Sequence, residues 1–143
     1  MKKIFTLLFL FCSFISFSQS TTLVISQVYG AGGNSGALYT ADYVELHNVS
    51  GTSQSLSGLS VQYASSAATG AWTGVYALPA ATIPAGGYYL VQMSTAGTVG
   101  SPIPTPDAVA APAIAMSGTS GRVAIVTGTT AATDGPAGLI DLV

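Results

Sequence analysis

The sequence predicts an all-β domain built as an antiparallel sandwich or barrel, and three observations carry that expectation. Short runs rich in β-branched and aromatic residues recur along the chain, separated by turn residues. No segment after the N-terminus repeats its apolar residues at helical spacing. Glycine, proline, serine and threonine interrupt the chain too often for helices of ordinary length.

The first 18 residues stand apart. Lys2 and Lys3 precede an apolar run from residue 4 to residue 17. That run is shorter than the ~20 residues a bilayer span needs and has the layout of a secretory signal. Ser16 and Ser18 place small residues at the minus-three and minus-one positions, so cleavage is expected after Ser18. Residues 19–143 then form one secreted or cell-surface domain of 125 residues. The single cysteine, Cys12, lies inside the signal, and Leu10-Phe11 before it lacks the small residues of a lipoprotein cleavage site. The mature domain must therefore be held by an apolar core without a disulfide. No later run is long and apolar enough to span a membrane.

The strands follow in order. Residues 22–29, 42–48 and 59–63 alternate in strand fashion, with Val24 and Val28, Val44 and Leu46, and Leu59 and Val61 expected to share one face each. Residues 74–78 form a further candidate. Residues 87–93 carry the β-formers Tyr88, Tyr89, Leu90 and Val91 directly after the turn I-P-A-G-G. Residues 97–112, with Pro102, Pro104, Pro106 and Pro112, read as an extended loop within the domain, and 122–127 as another strand. Asp134-Gly135-Pro136 reads as a turn, and residues 138–143 as the opening of a strand. An apolar ending with no closing turn leads us to expect an N-terminal portion of a longer protein, with a further domain following in cis.

Charge narrows the function classes. Once the signal is removed, Arg122 stands against Asp42, Glu45, Asp107, Asp134 and Asp141, a formal net charge of −4. Charged residues make up 6% of the sequence, against about a quarter in ordinary domains. With one cation there is almost no electrostatic footprint for a phosphate backbone, so direct nucleic-acid binding is not expected.

No catalytic, cofactor or metal site assembles from the residues. The loop 30–37, G-A-G-G-N-S-G-A, has no lysine for a phosphate loop, and Ser35 stands where a dinucleotide fingerprint needs its third glycine. G-N-S-G is similar to the nucleophile loop of some serine peptidases, but those place His and Asp before the serine, whereas His47 and every acid here follow Ser35. His47 is the only histidine and falls with Tyr43 and Glu45 on the solvated side of its strand. Asp42 and Glu45, joined by Asp107 or Asp134, lack the spacing of a calcium loop and read as turn and strand-end residues. Asn48-Val49-Ser50 matches a glycosylation sequon. Aromatic residues are the remaining functional material: Tyr29, Tyr39, Tyr43 and Tyr63 lie in or beside the first three strands, with Trp72 further on.

The motifs V-I-S-Q-V-Y-G-A-G-G-N (24–34), D-Y-V-E-L-H-N (42–48), L-S-G-L (56–59), I-P-A-G-G-Y-Y-L-V (83–91) and M-S-G-T-S-G-R-V-A-I-V (116–126), taken in order, resemble the lamin-tail domain in its bacterial, secreted form. Leu59 departs from the family's L-S-G-W pattern, and the ending after I-D-L-V is earlier than is usual. The resemblance implies an immunoglobulin-like β-sandwich, with its last strand partly missing. It also implies no catalytic residues, and use as an accessory or spacer module on exported proteins. The expected partner is an unidentified protein or surface polymer. The alternatives are the N-terminal part of a secreted hydrolase, such as a nuclease or phosphoesterase, whose catalytic domain lies beyond Val143, and a glycan-binding module acting through exposed tyrosines.

Overall fold

The computed structural model describes residues 20–133 and 137–143. The expected signal and the turn at Asp134-Gly135-Pro136 lie outside the described residues. Ten strands and no helix occur among the described residues: β1 (Leu23–Tyr29), β2 (Tyr43–Asn48), β3 (Gln54–Ser55), β4 (Leu59–Ser65), β5 (Gly74–Ala77), β6 (Thr82–Ile83), β7 (Tyr88–Gln92), β8 (Ala108–Val109), β9 (Gly121–Thr127) and β10 (Leu139–Leu142). They form one sheet ordered β1-β2-β7-β8, a second ordered β10-β9-β4-β5, and a two-stranded ribbon β3-β6. Every pairing is antiparallel except β7 with β8.

The two four-stranded sheets share one core. Ile25, Val44, Leu46, Tyr89 and Val91 come from the first sheet, and Val61, Tyr63, Val123 and Ile125 from the second. Leu56, Leu78 and Ile83 join the same cluster from around the ribbon, and Met93, Ile114 and Met116 from the loops. Val44, Leu46, Val61, Val91 and Ile125 are fully enclosed. At about 1.5–3 kcal/mol for each such aliphatic side chain, these positions contribute to offsetting the chain entropy that no disulfide reduces.

The first strand differs from its expected alternation. A register shift between Ile25 and Gln27 inserts Ser26 as a bulge, so Val24 pairs with His47 while Val28 pairs with Val44. Cross-strand partners share a face, so Val24 and Val28 lie on opposite sides of the sheet. Val28 shares the inner side with its partner Val44, yet it is 41% exposed. Leu59 and Val61 do share the inner face, yet Ser60 and Gln62 between them are also enclosed, because loops cover the outside of the second sheet.

One further segment carries more structure than its sequence suggested, and another forms the strand expected of it. The 97–112 segment contains β8 and a bridge from Ser101 to Tyr39, so it is an edge of the first sheet as well as a loop. The run 138–143 pairs with β9, and Val143 exchanges two backbone hydrogen bonds with Val123 at 2.9 and 3.0 Å. Asp141 accepts the Ile25 amide at 2.7 Å, which ties β10 to the bulged edge of β1.

Candidate functional site

The two sheets treat their outer faces differently, and that contrast locates the candidate site. Outside the second sheet, Trp72 and Ala132 pack on Ala64, Ala124 and Val126 as a small second core. Gln62 holds this cover in place: its amide donates to the Thr130 carbonyl at 2.9 Å and accepts the Ala132 amide at 2.7 Å. The Trp72 amide in turn donates to the Ala132 carbonyl at 2.8 Å. Arg122 lies 5.2 Å above the Trp72 ring and donates to the Ala68 carbonyl at 2.7 Å, so the only arginine serves the same cover. The indole nitrogen of Trp72 is enclosed without a hydrogen-bond partner among the described residues. Trp72 is thus a packing residue.

Among the described residues the outer face of the first sheet is covered less: Val24 is enclosed there, Tyr29, Tyr39, Tyr43, Glu45 and His47 are half-buried, and Tyr88 is exposed. Strand β2 sends Val44 and Leu46 inward and Tyr43, Glu45 and His47 outward, as its alternation predicts. Tyr29 from β1 pairs with Tyr43, and Tyr39 reaches both from the 30–42 connection. The Tyr29 and Tyr43 rings stack at 5.6 Å, and Tyr39 meets them edge-on at 5.4 and 5.7 Å. Aromatic rings favour this combination of offset and edge-to-face contacts because of their quadrupoles. The Tyr29 hydroxyl accepts the Leu38 amide at 2.8 Å, and the Tyr43 hydroxyl donates to Gln27 at 3.1 Å. Burial raises the Tyr43 phenol above its ordinary value, and the neighbouring Tyr39, Glu45 and Tyr29 add to the rise.

A second aromatic group stands further along the same face. His47 pairs with Tyr88 of β7, and the two rings stack at 4.1 Å and 7°. Tyr88 escapes recognition from the sequence because Tyr88-Tyr89 offers two consecutive tyrosines. Only the register separates exposed Tyr88 from Tyr89, which is buried in the core. Tyr63 does not join this face; it lies inside the second sheet with its hydroxyl accepting the Ser117 amide at 2.9 Å.

Each acid in the described chain has a local task. Asp42 is enclosed, and its two carboxylate oxygens accept the amides of Gly32 and Met116, both at 2.7 Å. Its own amide donates to the Ser94 hydroxyl at 2.8 Å. Asp107 accepts the Leu90 amide at 2.7 Å, and Glu45 accepts the Ser26 hydroxyl at 2.7 Å. No group of three or more His, Cys, Asp or Glu side chains gathers among the described residues. No hydrogen bond joins His47 to a serine or carboxylate there either. The glycine-rich loop is explained by close packing. A Cβ on Gly32 would lie 2.1 Å from the Ala41 carbonyl carbon, and one on Gly33 would lie 2.9 Å from Gly97.

Asn48, the residue of the sequon match, has a structural task. Its side chain is fully enclosed, and its amide nitrogen lies 2.8, 3.0 and 2.9 Å from the carbonyls of Thr52, Ile83 and Pro84. Its oxygen accepts both the amide and the hydroxyl of Ser50, at 3.0 and 2.7 Å. The folded domain leaves no room for a glycan on that nitrogen.

An antiparallel double sheet with a shared core, and without a converging set of reactive side chains among the described residues, defines an immunoglobulin-like sandwich module. The family model described as Lamin Tail Domain matches residues 16–135, and the chain belongs to that family. Domains of this family are generally non-catalytic. No curated protein matches the chain.

Proposed function

We propose that the chain is an interaction module of an exported protein, working through the outer face of the β1-β2-β7-β8 sheet. The single observation that supports this reading most is the row of half-buried Tyr29, Tyr39, Tyr43 and His47 ending at exposed Tyr88, beside a second sheet whose outer face is covered. Exposing rings costs hydration free energy at every position, so a fold that roofs one sheet and leaves aromatics on the other points to use of the open face. Export is supported by the signal-like residues 1–18. A hydrolytic role gains no support from His47, which is stacked on Tyr88 with no acid among the described residues holding its ring.

The test is retention. The full chain, immobilised, is exposed to cell-envelope and culture-medium fractions, and the same is done with a Tyr43→Ala, Tyr88→Ala double variant of matched melting behaviour. Specific retention by the parent and its loss in the variant is the expected result. Equal retention by both, or none by either, would sink the proposal.

A further inference from the structure

Resting on the reading of this face as the binding surface, we propose that it holds a short neutral oligosaccharide along β2. The chain of sugars would lie between two aromatic stations, Tyr29–Tyr39–Tyr43 at one end and His47–Tyr88 at the other. The electron-rich ring face attracts the weakly positive C–H groups of a pyranose, and tyrosine offers such a face with few torsions to freeze. The rings are already held in place: the Tyr29 hydroxyl is engaged by the Leu38 amide and the Tyr43 hydroxyl by Gln27. At the other station His47 covers one face of Tyr88, which is nevertheless 57% exposed, so its opposite face is the one presented to solvent.

Spacing, polarity and size favour this occupant over others. Tyr43 and His47 are four residues apart on one strand, about 13 Å at ~3.3 Å per residue, which suits a few linked sugar rings. Between them stands Glu45, whose carboxylate accepts the Ser26 hydroxyl and keeps acceptor capacity for sugar hydroxyls. Among the described residues the face carries no lysine or arginine, since Arg122 sits on the other sheet above Trp72, so an anionic polymer meets no cation from them. The β1-β2-β7 face spans about 10 Å by 13 Å between strand axes and stations. With side-chain margins that is a few hundred Å², well below the about 800 Å² per partner of a stable protein–protein interface.

Binding of the full chain to cello-, xylo-, manno- and chito-hexaose tests this, with polygalacturonate and heparin as anionic comparators. Calorimetry supplies affinity, and amide chemical shifts supply location. At least one neutral hexaose should bind, with shifts concentrated at residues 43–47 and 88–92. Tyr88→Ala, which removes an exposed ring and spares the core, should weaken binding about tenfold, while Ser66→Ala, at an exposed position after β4 of the other sheet, should stay within about twofold. Preference for the anionic polymers, or affinity indifferent to Tyr88→Ala, overturns the assignment. If no hexaose binds but a protein is retained through Tyr43 and Tyr88, the sugar assignment falls and the module reading stands. If neither binds, both fall.

Discussion

Replacing Asp42 by alanine separates a structural carboxylate from a ligand-binding one. In the folded domain Asp42 is 4% exposed, and its two oxygens accept the amides of Gly32 and Met116 at 2.7 Å each. Those donors belong to the glycine-rich connection after β1 and to the segment before β9, so one side chain pins two loops to the start of β2. A hydrogen bond to a charged group contributes about 1.5–3 kcal/mol, and the alanine variant leaves both amides without that acceptor. The expected loss is therefore about 3–6 kcal/mol, a large share of the roughly 5–15 kcal/mol that stabilises a typical domain. Asp42→Asn keeps the shape but has one acceptor oxygen and turns an NH2 towards the other donor, so it should lose about 2 kcal/mol or more. Guanidinium unfolding followed by Trp72 fluorescence reads both losses, and slower amide exchange at Met116 in the parent locates them. An alanine variant within about 0.5 kcal/mol of the parent, the range of an ordinary surface change, would refute the pinning. So would a calcium-dependent rise in melting temperature that the variant lacks, since a ligand binding only the native state must stabilise it.

Three further outcomes follow from the same geometry. Expressed in a host able to glycosylate sequons, folded protein should carry no glycan on Asn48 by intact mass, and Asn48→Ala should be destabilised by about 2–4 kcal/mol in denaturant melts through its orphaned carbonyl and amide partners. Gly32→Ala should be far more damaging than Gly36→Ala: the first drives a Cβ into the Ala41 backbone at 2.1 Å, while the second meets open space and bears only the strain of a φ of 80°, about 1–2 kcal/mol, a ranking that melting temperatures check. Stability should fall as pH rises above 10. Burial holds the Tyr43 and Tyr89 phenols above their ordinary value of about 10 in the folded state. The contribution is thus fully present below the unfolded pKa and is lost as pH climbs through the folded one. Tyr89→Phe and Tyr43→Phe should flatten that alkaline decline in pH-dependent unfolding, and an unchanged slope would count against the burial account.

The sequence spoke most clearly where one physical signal acted alone. In β2 the alternation of Tyr43, Glu45 and His47 with Val44 and Leu46 had only burial to satisfy, and both faces came out as read. In β1 the same reasoning failed after one residue, because the bulge at Ser26 reverses every later side chain and leaves no mark in hydropathy. Strands β3, β6 and β8 are two residues each, too short for any periodicity to register. The candidate face was legible only in part for the same reason. Tyr29, Tyr39 and Tyr43 were grouped by nearness in sequence, and that criterion wrongly added Tyr63, which the second sheet buries. Tyr88 entered only through the pairing of β7 with β2, a contact between residues 41 positions apart.

The chemistry of this domain is decided by how few charged groups it has and where they are used. Asp42, Asp107 and Asp141 each accept backbone amides at 2.7 Å, stitching a loop, an edge strand and the joint between the two sheets. Arg122 covers Trp72 and binds the Ala68 carbonyl in the roof of the second sheet. Asn48 and Gln62, both fully enclosed, serve other loops in the same way. Polar side chains spent on backbone cannot also turn over a substrate without unfastening the loop they hold, because their lone pairs and protons are already engaged. Glu45 and His47 are the titratable pair that this stitching passes over, and both stand on the open aromatic face. On the proposed reading, a ligand on that face is met by ring faces and the Glu45 carboxylate, the groups among the described residues that the stitching leaves available there.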